Sequence, residues 1–228
     1  MDSSHLTAKE TWRYRQLFAA IILLFIIASF IEVNTLWSLV ITLCFSLTVL
    51  LAIRTFPLAP AFKRLMQILL ILAFTLNVIE ASPALANIST GLQILSDGLY
   101  ALFLTLTVIF LSQRFIQITV VNGDVIIGSV SAYLLLGIIW FLFYQIALCF
   151  NNAAFRGAGE LSASRLPLLY FSFTTLTTLG YGDVTPAAPA TMGLANLEAI
   201  VGQLYPAILI ARLVSIFSVE REKEIEKT

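Results

Sequence analysis

The chain has 228 residues, of which 59% are hydrophobic and 11% are charged, and its formal net charge is zero. Soluble domains are about half apolar and about a quarter charged, so this composition is typical of an integral membrane protein. The balanced charge and the lack of a basic tract exclude a nucleic-acid partner, and the single histidine, His5, argues against a metal-dependent or histidine-dependent enzyme, so we expect no catalytic residues and no cofactor.

Charged residues divide the sequence into six apolar runs that can form membrane-crossing helices, each needing about 20 mostly apolar residues. The runs are Leu17–Ile31, Thr35–Ile53, Leu65–Ile79, Gly98–Gln113, Val125–Phe150 and Met192–Val219. The first, third and fourth runs are short, so we expect their helices to extend into flanking polar residues. The first run also resembles the apolar core of a signal peptide, but no small-x-small cleavage site follows it. The sequence predicts an all-α fold with six transmembrane helices.

Lysine and arginine residues collect on one side of these predicted helices. With the N-terminus inside, the cytoplasmic set comprises Lys9, Arg13, Arg15, Arg54, Lys63, Arg64, Arg114, Arg221, Lys223 and Lys227. The outer set comprises Arg156 and Arg165 together with the acidic residues Glu32, Glu80, Asp97, Glu160 and Asp183. The positive-inside rule therefore predicts that both termini are cytoplasmic.

A turn signal at Asn122-Gly123-Asp124 divides the chain into a four-helix domain, residues 1–124, and a second domain, residues 125–219. Residues 220–228 form a short charged tail. Gly98–Gln113, the fourth predicted helix, contains no lysine or arginine. A voltage sensor needs several such charges within a helix, so the front domain resembles a voltage sensor in its helix number only.

An uncharged stretch of 13 residues, Leu166–Thr178, separates the last two predicted helices. As a helix it would be about 20 Å long, which is too short to cross the membrane. Pro167 suits the first helical turn, where its missing N–H is not needed. The sequence therefore predicts a re-entrant half-helix that enters the membrane and stops.

After this half-helix the chain reads Leu179-Gly180-Tyr181-Gly182-Asp183. Irregular backbone at membrane depth is tolerated where it is buried or lines a wet cavity. The two glycines permit left-handed conformations, so successive carbonyls can face one axis and replace the water shell of a cation. The expected ligands are the carbonyl oxygens of Thr178, Leu179, Gly180 and Tyr181 and the Thr178 hydroxyl. One strand cannot encircle an ion, so a homotetramer is implied.

This segment resembles the selectivity filter of the potassium-channel pore family, in particular the bacterial two-transmembrane-helix ion-channel pore domains. The matching residues are Thr177-Thr178-Leu179-Gly180-Tyr181-Gly182-Asp183, against Thr-Val-Gly-Tyr-Gly-Asp in the family. The resemblance covers about residues 125–218, and four extra transmembrane helices precede it. It implies a homotetrameric channel, embedded in the lipid of a bacterial inner (plasma) membrane, with K⁺ as the permeant ion. Gly182 then belongs to the filter, and Asp183 lies at its outer mouth.

Three residues depart from the family pattern. Leu179 replaces the usual valine, Tyr170-Phe171 replaces an aromatic pair that often contains tryptophan, and Thr174 stands where some members carry an acidic residue. These departures bear on the rigidity and inactivation of the filter more than on its selectivity. The threonines expected to support the filter are Thr174, Thr175 and Thr177.

The sixth predicted helix carries Gly202 and Pro206 four residues apart. A proline removes the hydrogen bond to the carbonyl four residues earlier, so a bend is expected there. The bend can be a gating hinge, since Gly202 falls at the hinge glycine of the family, or a fixed kink. Arg212 is expected to point away from the pore and to extend to the cytoplasmic surface.

Glu198 is the only acidic residue predicted inside a helix that crosses the membrane, and such carboxylates suggest a function. In the family, positions 203, 206 and 210 of this chain would face the pore, which places Glu198 behind the filter, near Thr174 or Thr175. Three roles stay open: bracing of the filter, sensing of pH, or exposure in a wet crevice.

Two other functions remain to be weighed against a potassium channel. One is a weakly selective cation channel. The other is a secondary transporter or a membrane scaffold, although transporters usually show inverted repeats and paired broken helices, and here a single broken segment is seen.

Overall fold

A computed structural model describes residues 8–30, 43–51, 60–80, 89–117, 123–157 and 166–225. The helices are α1 (Ala8–Phe30), α2 (residues 43–51), α3 (Pro60–Glu80), α4 (Ser89–Gln117), α5 (Gly123–Phe150), α6 (Leu166–Leu176) and α7 (Pro189–Ile225). Two short strands, β1 (Phe155–Arg156) and β2 (Thr185–Pro186), pair antiparallel. The predicted all-α class is confirmed, and this two-residue ladder is an addition to it.

Three helices in the described part of the chain are long and apolar enough to cross a membrane. They comprise Thr90–Gln113 of α4, all of α5 and Pro189–Ile216 of α7. The apolar part of α1 is shorter, at Tyr14–Ile27. The second predicted crossing, Thr35–Ile53, lies outside the described residues except for 43–51, which are helical. The count of six crossings therefore stays a prediction.

The first, third and fourth predicted helices extend past the charges that flank their apolar runs, as expected. α4 begins at Ser89, so Asp97 lies inside the apolar segment of this helix and is completely buried. The prediction that Glu198 is the only acidic residue inside a crossing helix is therefore wrong. The reason is local: no proline interrupts residues 89–97, and a single charge does not end a helix whose backbone hydrogen bonds continue.

Other predicted boundaries fall partly outside the described residues. α5 begins at Gly123, so Gly123 and Asp124 of the predicted turn are helical, while Asn122 lies outside. The charged tail continues α7 as far as Ile225, and residues 226–228 lie outside. The predicted surface residues outside the description are Glu32, Arg54, Glu160, Arg165 and Lys227.

α5 forms the centre of the structure, because α1, α4, α6 and α7 all pack against it. Its buried side chains include Leu135, Ile138 and Leu142, and Leu17 of α1 and Phe103 of α4 are buried in the same core. Lipid is as apolar as leucine, so close van der Waals packing, rather than escape from water, holds such helices together.

A short ladder fixes the chain on both sides of the loop after α6. Phe155 pairs with Pro186, and the carbonyl oxygen of Ala154 accepts hydrogen bonds from the Ala187 N–H and the Thr191 hydroxyl, both at 2.8 Å. Residue 157 is a glycine with a φ of 93°, and a β-carbon there would collide with the backbone carbonyl of Asp183. The segment that leaves the loop is therefore tied to the end of α5.

Candidate functional site

The backbone after α6 directs two successive peptide groups the same way. The N–H groups of Leu179 and Gly180 both donate to the carbonyl oxygen of Thr174, at 2.8 and 3.1 Å. In a trans peptide group the N–H and the C=O point in opposite directions, and the described residues contain no cis peptide bond. The carbonyl oxygens of Thr178 and Leu179 therefore both point away from Thr174.

The backbone conformation alternates along this loop. Thr178, Gly180 and Gly182 have φ values of 58°, 55° and 81°, whereas the φ values of Leu179 and Tyr181 are not positive. In an ordinary strand, successive groups alternate between two sides. Alternation between left-handed and ordinary conformations instead lets successive carbonyls stay on one side. Such a row of oxygens suits a cation that has shed its water shell.

Thr178 holds an unfavourable conformation. A β-branched residue at positive φ is a true outlier, and left-handed backbone costs roughly 1–2 kcal/mol. Two hydrogen bonds hold it in place: its N–H donates to the carbonyl of Thr175, and its hydroxyl accepts from Nε2 of Gln203, each at 3.0 Å. Residues held against strain in this way cluster at functional sites.

The three threonines predicted to support the filter lie at the C-terminal end of α6 and directly after it. The hydroxyls of Thr174 and Thr177 donate to carbonyls of their own helix, at Phe171 (3.0 Å) and Phe173 (2.6 Å). The backbone carbonyls of Thr174 and Thr175 receive the N–H groups of the loop. The C-terminal end of α6 therefore holds the first residues of the loop through backbone hydrogen bonds.

Aromatic stacking and a carboxylate join the outer part of the loop to α6. The rings of Tyr181 and Tyr170 stack with centroids 6.2 Å apart and planes 5° from parallel. The Tyr170 hydroxyl hydrogen-bonds the Asp183 carboxylate, which also accepts the Val184 N–H at 3.0 Å. The side chains of Leu179 and Tyr181 are 57% and 68% exposed in the single chain.

Glu198 is completely buried and lies between three helices. Its two carboxylate oxygens bond the hydroxyls of Tyr144 on α5, at 2.5 Å, and of Ser172 on α6, at 2.6 Å. These partners differ from the predicted ones, Thr174 and Thr175. Ser172 lies four residues from both Leu168 and Leu176, which are completely buried, so it shares their inward face.

The same serine also contacts the outer helix. The Ser172 hydroxyl lies 2.7 Å from the carbonyl oxygen of Gly137 on α5. Glu198, Ser172, Tyr144 and Gly137 therefore form one buried polar network, which joins α5, α6 and α7. The expected crevice exposure of Glu198 is excluded by its burial.

Gly202 lies where α7 approaches α6 most closely. A β-carbon at this position would collide with the carbonyl oxygen of Leu176, the last residue of α6. That carbonyl also accepts the Tyr133 hydroxyl, at 3.2 Å. The glycine is therefore required by close packing, a reason that neither the hinge nor the kink prediction considered.

The helix continues without interruption through Pro206, from Pro189 to Ile225. Nearer its C-terminal end, the Arg212 guanidinium donates to the carbonyl oxygen of Ile116 at 3.0 Å. Ile116 belongs to the last turn of α4, whose final carbonyls lack helical partners. The arginine thus contacts the front helices rather than solvent alone.

Position 203 was expected only to face the pore, and neither the contact of Gln203 with Thr178 nor that of Tyr144 with Glu198 follows from the sequence. An amide in an exposed helical position carries no signal of its own, and a tyrosine in an apolar run is typical of packing. A buried carboxylate does require donors, so Glu198 predicts that some hydroxyl lies near it, without specifying which one.

Two comparisons relate this arrangement to known proteins. Residues 129–219 match a protein family described as an ion channel. The match begins within α5, includes α6 and the loop, and ends within α7. The C-terminal part of this integral membrane protein is therefore similar to an ion-channel domain, and residues before 129 lie outside the match.

Protein LctB of Bacillus caldotenax is similar over a shorter stretch. It is 37% identical over 78 residues, which are 32% of this chain and 58% of LctB. The chain therefore spans less than two thirds of that relative. No solved structure matches the chain.

Proposed function

We propose that four copies of this chain form a potassium-selective channel that conducts K⁺ passively across a membrane. The observation that carries the proposal is the shared direction of the Thr178 and Leu179 carbonyls. This direction follows from the hydrogen bonds that the N–H groups of Leu179 and Gly180 donate to the Thr174 carbonyl. This row of oxygens lies within the segment that matches an ion-channel family. Oxygen rows of this kind can replace the hydration shell of K⁺.

The proposed ligands of K⁺ are the carbonyl oxygens of Thr178, Leu179, Gly180 and Tyr181 and the hydroxyl of Thr178. Gly182 continues the alternation of φ values that keeps the carbonyls aligned. Asp183 contributes negative charge at the outer mouth, where its bond to Tyr170 holds it. No covalent step is involved, and the ion moves down its electrochemical gradient.

Four subunits are required because one loop supplies ligands on one side of an ion only. The surfaces of α7 support this assembly, since large apolar side chains along it are exposed in the single chain. They are Met192, Leu197, Ile200, Leu204, Ile208, Ile210 and Val214. In a tetramer this surface would contact neighbouring subunits and the inner cavity.

We further propose that the subunit crosses a bacterial inner (plasma) membrane six times with both termini in the cytoplasm. In this arrangement α7 is the inner helix and α5 the outer helix of the pore. Residues 1–124 form a separate four-helix domain without a voltage-sensing arginine ladder. Within this domain, Arg15 of α1 pairs at 2.8 Å with Asp124, which lies at the start of α5 and directly precedes the pore domain.

Ion flux into liposomes tests the proposal. Purified protein reconstituted into K⁺-loaded liposomes is expected to take up labelled Rb⁺, to lose this uptake when Ba²⁺ is added, and to pass little Na⁺. Protein-free liposomes are the control. Equal Na⁺ and K⁺ flux would support a weakly selective cation channel instead, and a tetramer without flux would contradict the channel itself.

A further inference from the structure

Gln203 joins the inner helix to the start of the ion-binding loop. Its side chain is exposed in the single chain, and its Nε2 lies 3.0 Å from the hydroxyl oxygen of Thr178. Among the proposed ligand residues, Thr178 alone contributes two oxygens, one from its carbonyl and one from its side chain. The amide is therefore placed at the inner end of the carbonyl row.

The position of Gln203 is fixed by its neighbours on α7. Gly202 packs directly against the Leu176 carbonyl, which brings the helix close to the base of the loop. Tyr205 donates its hydroxyl to the carbonyl of Ser129 on α5, at 3.0 Å. Together with the buried Glu198, these contacts set the rotation of α7 about its axis. The side chain of residue 203 is thereby directed beneath the loop.

The hydrogen bond selects one rotamer of Thr178. The methyl and hydroxyl groups of threonine are similar in size, and rotation about χ1 exchanges them. An amide donor at a fixed place favours the rotamer that presents the hydroxyl oxygen beneath the loop. Without that donor, the methyl group can occupy the same place, and a cation would lose a ligand from each subunit.

We propose that Gln203 is a specificity-determining residue of the innermost ion site, where it holds the Thr178 hydroxyl in the ligand position. The inference rests on the proposed tetrameric channel, and it assigns to one side chain of the inner helix a share in ion discrimination. A neutral amide orients the oxygen without adding charge. A carboxylate at the same position would add negative charge and would bind divalent cations more tightly than the amide does.

Block by cytoplasmic Ba²⁺ tests this role, because Ba²⁺ is a doubly charged ion that requires the same oxygen ligands. The wild type is compared in planar bilayers with Gln203→Leu, Gln203→Asn and Gln203→Glu. Leucine removes the donor, and asparagine keeps an amide that is too short to reach Thr178. We expect both to weaken the block about tenfold, the effect of roughly one hydrogen bond, and to lower the preference for K⁺ over Na⁺. Gln203→Glu adds one negative charge in each subunit, four in the proposed tetramer, and is expected to strengthen the block.

The matched control is Ser218→Ala on the same helix, fifteen residues beyond Gln203, where the hydroxyl donates to the Val214 carbonyl, and it is expected to leave Ba²⁺ affinity unchanged. Conducting Gln203→Leu channels with wild-type Ba²⁺ affinity would overturn the inference. Wild-type Ba²⁺ affinity in the Gln203→Asn channel would also overturn the inference. The polarity of the cavity, rather than the bond to Thr178, would then determine how tightly Ba²⁺ binds. A wild-type protein that carries no K⁺ current would instead refute the proposed function on which the inference depends.

Discussion

Gly202 of the inner helix packs so closely against the carbonyl of Leu176 that no side chain fits between the two helices. This contact gives the glycine a packing role at the base of the loop. A glycine that serves as a hinge needs freedom of its backbone, whereas one that permits close approach needs only the absence of a β-carbon. The two roles predict opposite effects of alanine on stability.

We expect Gly202→Ala to destabilise the assembled protein by about 1–3 kcal/mol, the usual cost of overpacking. The control is Gly193→Ala on the same helix, where a β-carbon has open space. There, alanine should be neutral or slightly stabilising, because it lowers the backbone entropy lost on folding. Thermal unfolding of the purified tetramers compares the two variants. If Gly202→Ala were as stable as Gly193→Ala, close packing would not explain the glycine.

Gly180→Ala is expected to abolish conduction or ion selectivity while the protein still assembles. No atom would meet a β-carbon at this position, so packing tolerates the change, but the φ of 55° does not. Left-handed backbone costs roughly 1–2 kcal/mol in each subunit. Gly98→Ala on α4, which also has open space, is the control that should conduct normally. Assembled Gly180→Ala tetramers with unchanged K⁺ over Na⁺ selectivity would remove the filter assignment.

Ser172→Ala is expected to lower stability by roughly 1–2 kcal/mol, because the Glu198 carboxylate and the Gly137 carbonyl both lose a buried contact. Ser131→Ala is the matched control, since Ser131 is also buried but bonds only the Ile127 carbonyl of its own helix. Thermal unfolding measures both. Equal losses for the two serines would argue against a network that joins the helices.

Glu198→Gln should change open probability or inactivation while K⁺ selectivity is largely retained. Glutamine can still accept from Tyr144 and can donate to Ser172, but it carries no charge. Single-channel recordings from about pH 5 to pH 8 separate the possible roles of the carboxyl group. A variant that matched the wild type throughout this range would exclude both bracing of the filter and sensing of pH.

Much of the architecture follows from the sequence because apolar length and glycine placement are local signals. Thr90–Gln113, Gly123–Phe150 and Pro189–Ile216 are found as apolar helices in the runs predicted for them. The short half-helix was expected over Leu166–Thr178 and ends at Leu176, because Thr177 and Thr178 already turn into the loop. Positive φ was expected at the loop glycines for the same local reason.

The remaining features depend on contacts between distant residues. Propensity argues against a left-handed conformation at β-branched Thr178, and only its bonds to Thr175 and Gln203 account for it. The partners of Glu198 lie 26 and 54 residues away, and no spacing along one helix predicts such contacts. The burial of Asp97 depends on the helices packed around α4, and nothing in the adjacent sequence predicts it.

The most direct test of the account is the reversal potential of the wild-type channel with K⁺ on one side of a planar bilayer and Na⁺ on the other. Dehydration by four rows of carbonyl oxygens predicts a reversal potential far from zero, with the K⁺ side negative, because K⁺ crosses much more readily than Na⁺. A reversal potential near zero would contradict potassium selectivity, although the protein conducts, and would show that the oxygens of Thr178 and Leu179 do not discriminate between the two ions.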